Sequence, residues 1–225
     1  MQAPSRNESP PPRGDAIDAP KLPFPWITAI VIAGSILVAG SDFLLRHDAA
    51  TPPVALEWGA LYGPLVREKQ WWRLVSFVFV HGGPVHLGMN MLAAYSLGIP
   101  LERRLGTARF AEITLVTALG GAAAVLVLAP LSPTIGASGV LFGWLGLLVP
   151  LIRKEGLRQL GKIILLNVLI SLIPGISWQC HLGGFVSGLA CGLVLRFDGK
   201  KFPIVAPALV GATTFIALWG AYRAP

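Results

Sequence analysis

Gly136-Ala137-Ser138-Gly139-Val140-Leu141-Phe142-Gly143 opens an apolar run that lasts to Pro150, directly after the Pro-rich break Ala129-Pro130-Leu131-Ser132-Pro133. The break and the run together predict a helix that begins at Ser138. A serine set between glycines at a helix start has bare backbone around its hydroxyl. Its own amide and those beside it have no partner one turn back and are free to hold an anion. Such a place suits a nucleophile with a built-in oxyanion donor. Small residues at the end of a membrane helix also serve close packing, so the octapeptide alone leaves both readings open.

The composition decides the solvent. Of the 225 residues, 54% are hydrophobic and 13% are charged, and the mean hydropathy is +0.66. A soluble domain carries about 25% charge, so the expectation is an integral membrane protein. The formal charge of +7 does not point to nucleic acid, because the basic residues flank apolar runs as they do in cytoplasmic loops. The two cysteines, Cys180 and Cys191, lie roughly 16 Å apart if one helix carries both. That separation excludes a disulfide between them.

Seven apolar runs follow one another: Trp26–Leu45, Val75–Leu101, Phe110–Leu128, Ser138–Leu151, Ile163–Ile176, His181–Leu195 and Ile204–Tyr222. The predicted fold is therefore an all-α polytopic membrane helix bundle of six core helices plus a seventh at the C-terminus. Residues 1–24, polar and Pro-rich, read as a disordered cytoplasmic tail. Residues 25–200 form the membrane core, and 201–225 hold the additional C-terminal transmembrane helix. The first run is too long for a signal-peptide core and has no small-residue cleavage site, so it is expected to stay in the membrane. The fourth, fifth and sixth runs fall short of the ~20 residues of a straight span. Short spans let water reach helix ends below the headgroups.

Orientation follows from lysine and arginine. Arg103, Arg104 and Arg109, then Arg153, Lys154, Arg158 and Lys162, then Arg196, Lys200 and Lys201 occupy alternate connections. With Arg6, Arg13 and Lys21 they make thirteen of the eighteen basic residues. All fall on one side if the N-terminus is cytoplasmic. Ser138 and His181 then both begin helices that enter from the outer side. The outer loop 46–73 carries His47 and the interfacial tryptophans Trp58, Trp71 and Trp72.

Intramembrane ionisable residues are functional candidates. In His81-Gly-Gly-Pro-Val-His86-Leu-Gly-Met-Asn90 a helix should start near Pro84. His86 and Asn90 are then one turn apart on one face. The pair could direct two donors at a developing negative charge, or could simply join two helices. His181 precedes Gly184, Gly188 and Gly192 at intervals of four, and the fourth run offers Gly139 and Gly143 at the same interval. Packing these two smooth faces would bring Ser138 and His181 within hydrogen-bond reach, as a nucleophile and its base require. No acidic third member is evident, since Asp42, Glu57, Glu68, Glu102, Glu112, Glu155 and Asp198 lie in loops or at span ends, so a dyad is expected. A zinc site is disfavoured because there is no HExxH and no intramembrane carboxylate. Cys180 points about 100° away from its neighbour His181 and is poorly placed to be activated by it.

Between Trp71 and Leu195 the chain resembles the rhomboid intramembrane serine proteases. The likeness rests on Trp72-Arg73, on HxxxxHxxxN at His81, His86 and Asn90, and on Leu101-Glu102-Arg103-Arg104-Leu105-Gly106. It continues through GxSG at Gly136–Gly139 and HxxGxxxG at His181–Gly188. The resemblance implies a serine endopeptidase that cleaves transmembrane segments of single-pass or polytopic membrane proteins near the outer face. It implies Ser138 as nucleophile, His181 as general base, and an oxyanion hole of His86, Asn90 and the Ser138 amide. His81 is similar to the family's supporting loop histidine, with Gly136, Phe142, Gly184 and Gly188 in supporting places. Phe142 stands where a tyrosine is common, keeping the ring and losing the hydroxyl. No cofactor, metal or nucleic acid is implied; the partners are the substrates and the lipid bilayer. The expected location is the bacterial cytoplasmic membrane. Two other readings stand beside this one: a catalytically silent relative that binds or sorts membrane proteins, and a small transporter whose histidines relay protons. For the latter no matched pair of interrupted spans is visible.

Overall fold

A computed structural model describes residues 23–46 and 52–223. The predicted tail (1–22 of it) and His47 lie outside the described residues. The described chain is helical, with a single isolated antiparallel bridge between Leu61 and Thr134. Helix α1 is Trp26–Arg46. Two short helices, α2 (Pro52–Trp58) and α3 (Gly63–Arg67), follow in the first loop. Next come α4 (Arg73–Ser76), α5 (Pro84–Ala93) and α6 (Ile99–Leu105). The long elements α7 (Thr107–Leu128), α8 (Ser138–Leu151), α9 (Lys154–Ser171), α10 (Trp178–Asp198) and α11 (Phe202–Arg223) complete the bundle.

The second predicted span, Val75–Leu101, is corrected: it is not one helix. Helix α4 runs into a single 3₁₀ turn, Phe77–Phe79, and the chain then turns at Gly82-Gly83 before α5 starts at Pro84. Proline disfavours helical geometry in the residue before it, and Gly83 takes φ +144. Helix α5 continues into α6 through a π-helical turn, Ala94–Gly98. Pro100 lacks the N–H that an α-helix would direct at Ser96, and the wider turn accommodates the loss.

The fifth and sixth elements are also longer than their apolar runs. Helix α9 has 18 residues and α10 has 21. Good helix formers such as Lys154, Glu155 and Arg158 extend the first of these. The Ser177 hydroxyl accepts the Cys180 amide at the N-terminus of α10 and lets it begin three residues before His181. Only α8, at 14 residues, remains short. Three helices, α7, α10 and α11, are long and apolar enough to cross a membrane. Large apolar side chains also face outwards along the bundle, among them Val85, Met89 and Leu92 on α5 and Leu165, Leu166 and Leu169 on α9. Such patches belong in lipid rather than water, and the chain is an integral membrane protein.

The core lies between α7, α8 and α10, where Phe110, Ile113, Val116, Trp144, Leu147 and Cys191 are buried. Glycine sets the spacing. A β-carbon on Gly184 would run into the Gly139 carbonyl oxygen, and one on Gly188 into that of Gly143. The two backbones touch, as the matched intervals of four anticipate. Helix α11 is seated on α7, where Gly220 lies against Leu126 and Val127, and its Ala206, Ala217 and Ala221 are fully buried. At the opposite end of the bundle from Ser138, Arg104, Arg109 and Lys200 line one shared recess with Leu151 and Leu195. Cations from two of the basic connections thus meet at one end of the bundle. Buried Glu102 faces the start of α1 and accepts from the Ile27 and Thr28 amides and the Thr28 hydroxyl, at 2.9, 2.9 and 2.8 Å. The free amides of a helix N-terminus suit a carboxylate.

Replacing Gly188 by Ala should force α8 and α10 apart, at a cost of about 1–3 kcal/mol. A clear fall in the thermal midpoint of the detergent-solubilised protein checks this, whereas Gly211→Ala, which meets nothing within 4 Å, should leave the midpoint unchanged.

Candidate active site

The segment before Ser138 is fixed from both sides. Leu61 and Thr134 exchange backbone hydrogen bonds at 2.9 Å, the Gly63 amide donates to the Pro130 carbonyl, and the Gly136 amide donates to the Phe77 carbonyl. The first loop is held to α4 in turn by Arg73, whose guanidinium donates to the Leu56 and Ala60 carbonyls at 2.7 and 2.8 Å. Burial lowers the Arg73 pKa from its ordinary value. The Ser76 hydroxyl donates to the Gly59 carbonyl and adds a further tie. The Pro-rich break is therefore a clamped strap, and Ser138 emerges from it as the first residue of α8.

Gly136 has φ +108, a region that residues with a β-carbon rarely adopt. A β-carbon there would also lie 2.8 Å from His86 Nε2 and 3.9 Å from Ser138 Oγ. The bare Gly136 backbone thus lets the His86 ring approach the serine. The Gly82 amide donates to His86 Nδ1 at 3.3 Å, so the ring proton sits on Nε2, the nitrogen on the Gly136 side. His81 is held differently. Its Nδ1 lies 3.2 Å from the Phe79 carbonyl, and its Nε2 lies 3.5 Å from the Ala137 amide. Donation to Phe79 and acceptance from Ala137 satisfy both nitrogens, so His81 braces the strap.

The close approach of α8 and α10 brings the remaining pair together. Ser138 Oγ is 2.7 Å from His181 Nε2. The imidazole, 6% exposed, lies flat against Phe142, with ring centroids 4.1 Å apart and planes 7° apart. Phe142 therefore does stack without a hydroxyl. Cys180 Sγ points instead into the contact with Gly121 and Gly139 and is fully buried; both cysteines are free.

Asn90 behaves differently from a simple paired donor. Its amide nitrogen donates to the His86 carbonyl at 2.8 Å, so one of its two hydrogens is committed to its own helix. Its carbonyl oxygen is buried without a hydrogen-bond partner among the described residues. The structure brings Ser138, His181, His86, Phe142 and Gly136 into one cluster, with Asn90 beside it on the next turn of α5.

One residue in the cluster is absent from the sequence reading. Ser171, the last residue of α9, places its Oγ 2.6 Å from His181 Nδ1. A cavity of about 380 Å³ opens beside it, lined by Ser132, Pro133, Ser171, Ser177 and Gln179. Ser171 is a hydroxyl where a triad's third member is ordinarily a carboxylate. A serine ten residues before the histidine, at the matching end of the preceding span, was the available signal.

A family model described as "Rhomboid domain" matches residues 68–197. The chain is 32% identical over 204 residues to "Rhomboid protease GluP" of Bacillus subtilis (strain 168), a match covering 86% of this chain and 39% of that protein. It is 29% identical over 233 residues to "RHOMBOID-like protein 5" of Arabidopsis thaliana, covering 85% of this chain and 75% of the relative. It is 35% identical over 140 residues to "Rhomboid-type serine protease 2" of Emericella nidulans, covering 55% and 27%.

Gly136→Ala should both strain the backbone and push the His86 ring away, costing about 1–3 kcal/mol. Thermal unfolding in detergent, compared with Gly161→Ala on α9, where nothing lies within 4 Å, measures it.

Proposed function

The chain belongs to the rhomboid family, and from that premise we propose that it is an intramembrane serine endopeptidase acting through Ser138 and His181. The observation that carries this reading is the 2.7 Å contact between Ser138 Oγ and His181 Nε2. In the proposed reaction the Ser138 proton passes to His181 Nε2 as the serine oxygen attacks the scissile carbonyl carbon. The carbonyl oxygen takes the negative charge. The His86 Nε2–H, the Ser138 amide at the start of α8 and the second amide hydrogen of Asn90 are its proposed donors. Collapse of the tetrahedral intermediate returns the proton from His181 to the leaving nitrogen. Water, deprotonated by His181, then hydrolyses the acyl-enzyme.

The substrates in this reading are single-pass or polytopic membrane proteins. A peptide bond inside a helix is shielded, so the cut segment should carry Gly, Ala or other helix-weakening residues where the chain unwinds. Cleavage is assigned to the outer face. The basic residues between the spans favour a cytoplasmic N-terminus in a bacterial cytoplasmic membrane, which puts the starts of α8 and α10 outward. The cavity beside Ser171, with Ser132, Ser177 and Gln179 on its wall, is the proposed reservoir of the hydrolytic water.

Reconstituted wild-type protein should cleave a model transmembrane substrate, and Ser138→Ala should lower the rate at least about 1,000-fold. Equal rates would remove Ser138 from the chemistry.

A further inference from the structure

We propose that Ser171 is the positioning residue of His181, fixing which nitrogen of the imidazole carries the proton and steadying the ring when it becomes charged. This inference rests on the protease reading above and adds a member to it from α9.

The argument turns on the single proton of a hydroxyl. Ser171 Oγ has two neighbours, the Asn167 carbonyl at 2.8 Å and His181 Nδ1 at 2.6 Å. A carbonyl oxygen only accepts, so the Ser171 proton points at Asn167. The oxygen then offers lone pairs to His181, and Nδ1 must be the donor. Nε2 is left unprotonated and faces Ser138 Oγ at 2.7 Å, ready to receive its proton. The opposite tautomer would leave Ser171 Oγ and Nδ1 as two acceptors 2.6 Å apart, or would release the Asn167 bond. Neither is favourable in a buried site.

The ring is thus held on three sides. Phe142 fixes its plane, while Ser138 and Ser171 fix its rotation within that plane. When His181 takes the Ser138 proton it becomes an imidazolium, and its bond to Ser171 becomes charge-assisted. No proton leaves Ser171 in this step. The hydroxyl occupies the place that a carboxylate holds in a three-membered triad, with a dipole instead of a full charge. It also explains a feature of α9, a helix whose only two buried residues are Leu160 and Ser171. Its 6% exposed serine is the point at which this otherwise outward-facing helix enters the cluster.

The test uses the full chain in detergent with a fluorophosphonate probe, which reads serine nucleophilicity without substrate docking, alongside cleavage kinetics. Ser171→Ala should slow labelling of Ser138 and lower kcat by about 10- to 100-fold, the size expected for a hydrogen bond to a charged group. KM should stay within about twofold of wild type, as for an interaction made mainly in the transition state. Ser171→Thr, which keeps the hydroxyl, should restore most of the rate. The ¹⁵N shifts of His181 in the wild-type protein should show the resting proton on Nδ1. Wild-type labelling rates in a folded Ser171→Ala variant, or a resting proton on Nε2, would overturn the assignment. If Ser171→Ala does not fold, the nitrogen shifts of the wild type still decide. A wild-type protein that the probe never labels would instead fail the protease reading itself, and the shifts would then judge the Ser171 contact independently.

Discussion

Backbone contact between α8 and α10 is the constraint on which the site depends. Glycines on both helices remove the side chains that would ordinarily hold two axes 8–10 Å apart, and the Gly139 and Gly143 carbonyls fill the space that β-carbons at Gly184 and Gly188 would take. Ser138 stands one residue before Gly139, and His181 three before Gly184. With the helices this close, two side chains from different spans meet at 2.7 Å. A larger residue at the crossing would move the hydroxyl and the imidazole apart while leaving both present.

Other parts of the molecule hold what that contact brings together. Arg73 and Ser76 tie the first loop to α4, the Leu61–Thr134 bridge ties that loop to the strap before α8, and His81 supports the strap through the Ala137 amide. Buried backbone of irregular shape must find its partners within the protein. The many ties along residues 55–63 and 130–137 answer that demand. They also hold Gly136 where the His86 ring can lie against its bare Cα. Phe142 and Ser171 then constrain the imidazole from two further directions, and the latter enters from a helix otherwise directed outwards.

The breaks in helical structure have local causes that can be read from residue types. Pro84 ends the 3₁₀ turn and loop that precede it and starts α5, while Pro100 widens the helix into a π turn. By contrast, hydropathy alone understates the lengths of α9 and α10, because capping and charged helix formers extend a helix past its apolar part. Asn90 is a comparable case. Spacing puts it on the His86 face, yet its amide bonds the His86 carbonyl one turn back, a choice that depends on rotamer and not on periodicity.

Sequence alone determined the membrane as solvent, the all-helical class, the two glycine faces and the identity of Ser138, His181 and His86 as candidates, while the place of Phe142 came from the resemblance to the rhomboid family. All but the last follow from composition, periodicity and short-range motifs, which are properties of neighbours along the chain. Tertiary structure decided what depends on distance between remote segments: the division of Val75–Leu101, the strap's clamping by the first loop, and the hydrogen-bond partners of His81, His86 and His181. Ser171 is the clearest instance. Its spacing from His181 is legible along the chain, but its meaning arises only where α9 and α10 meet, because a hydroxyl's single proton is assigned by whichever acceptors surround it.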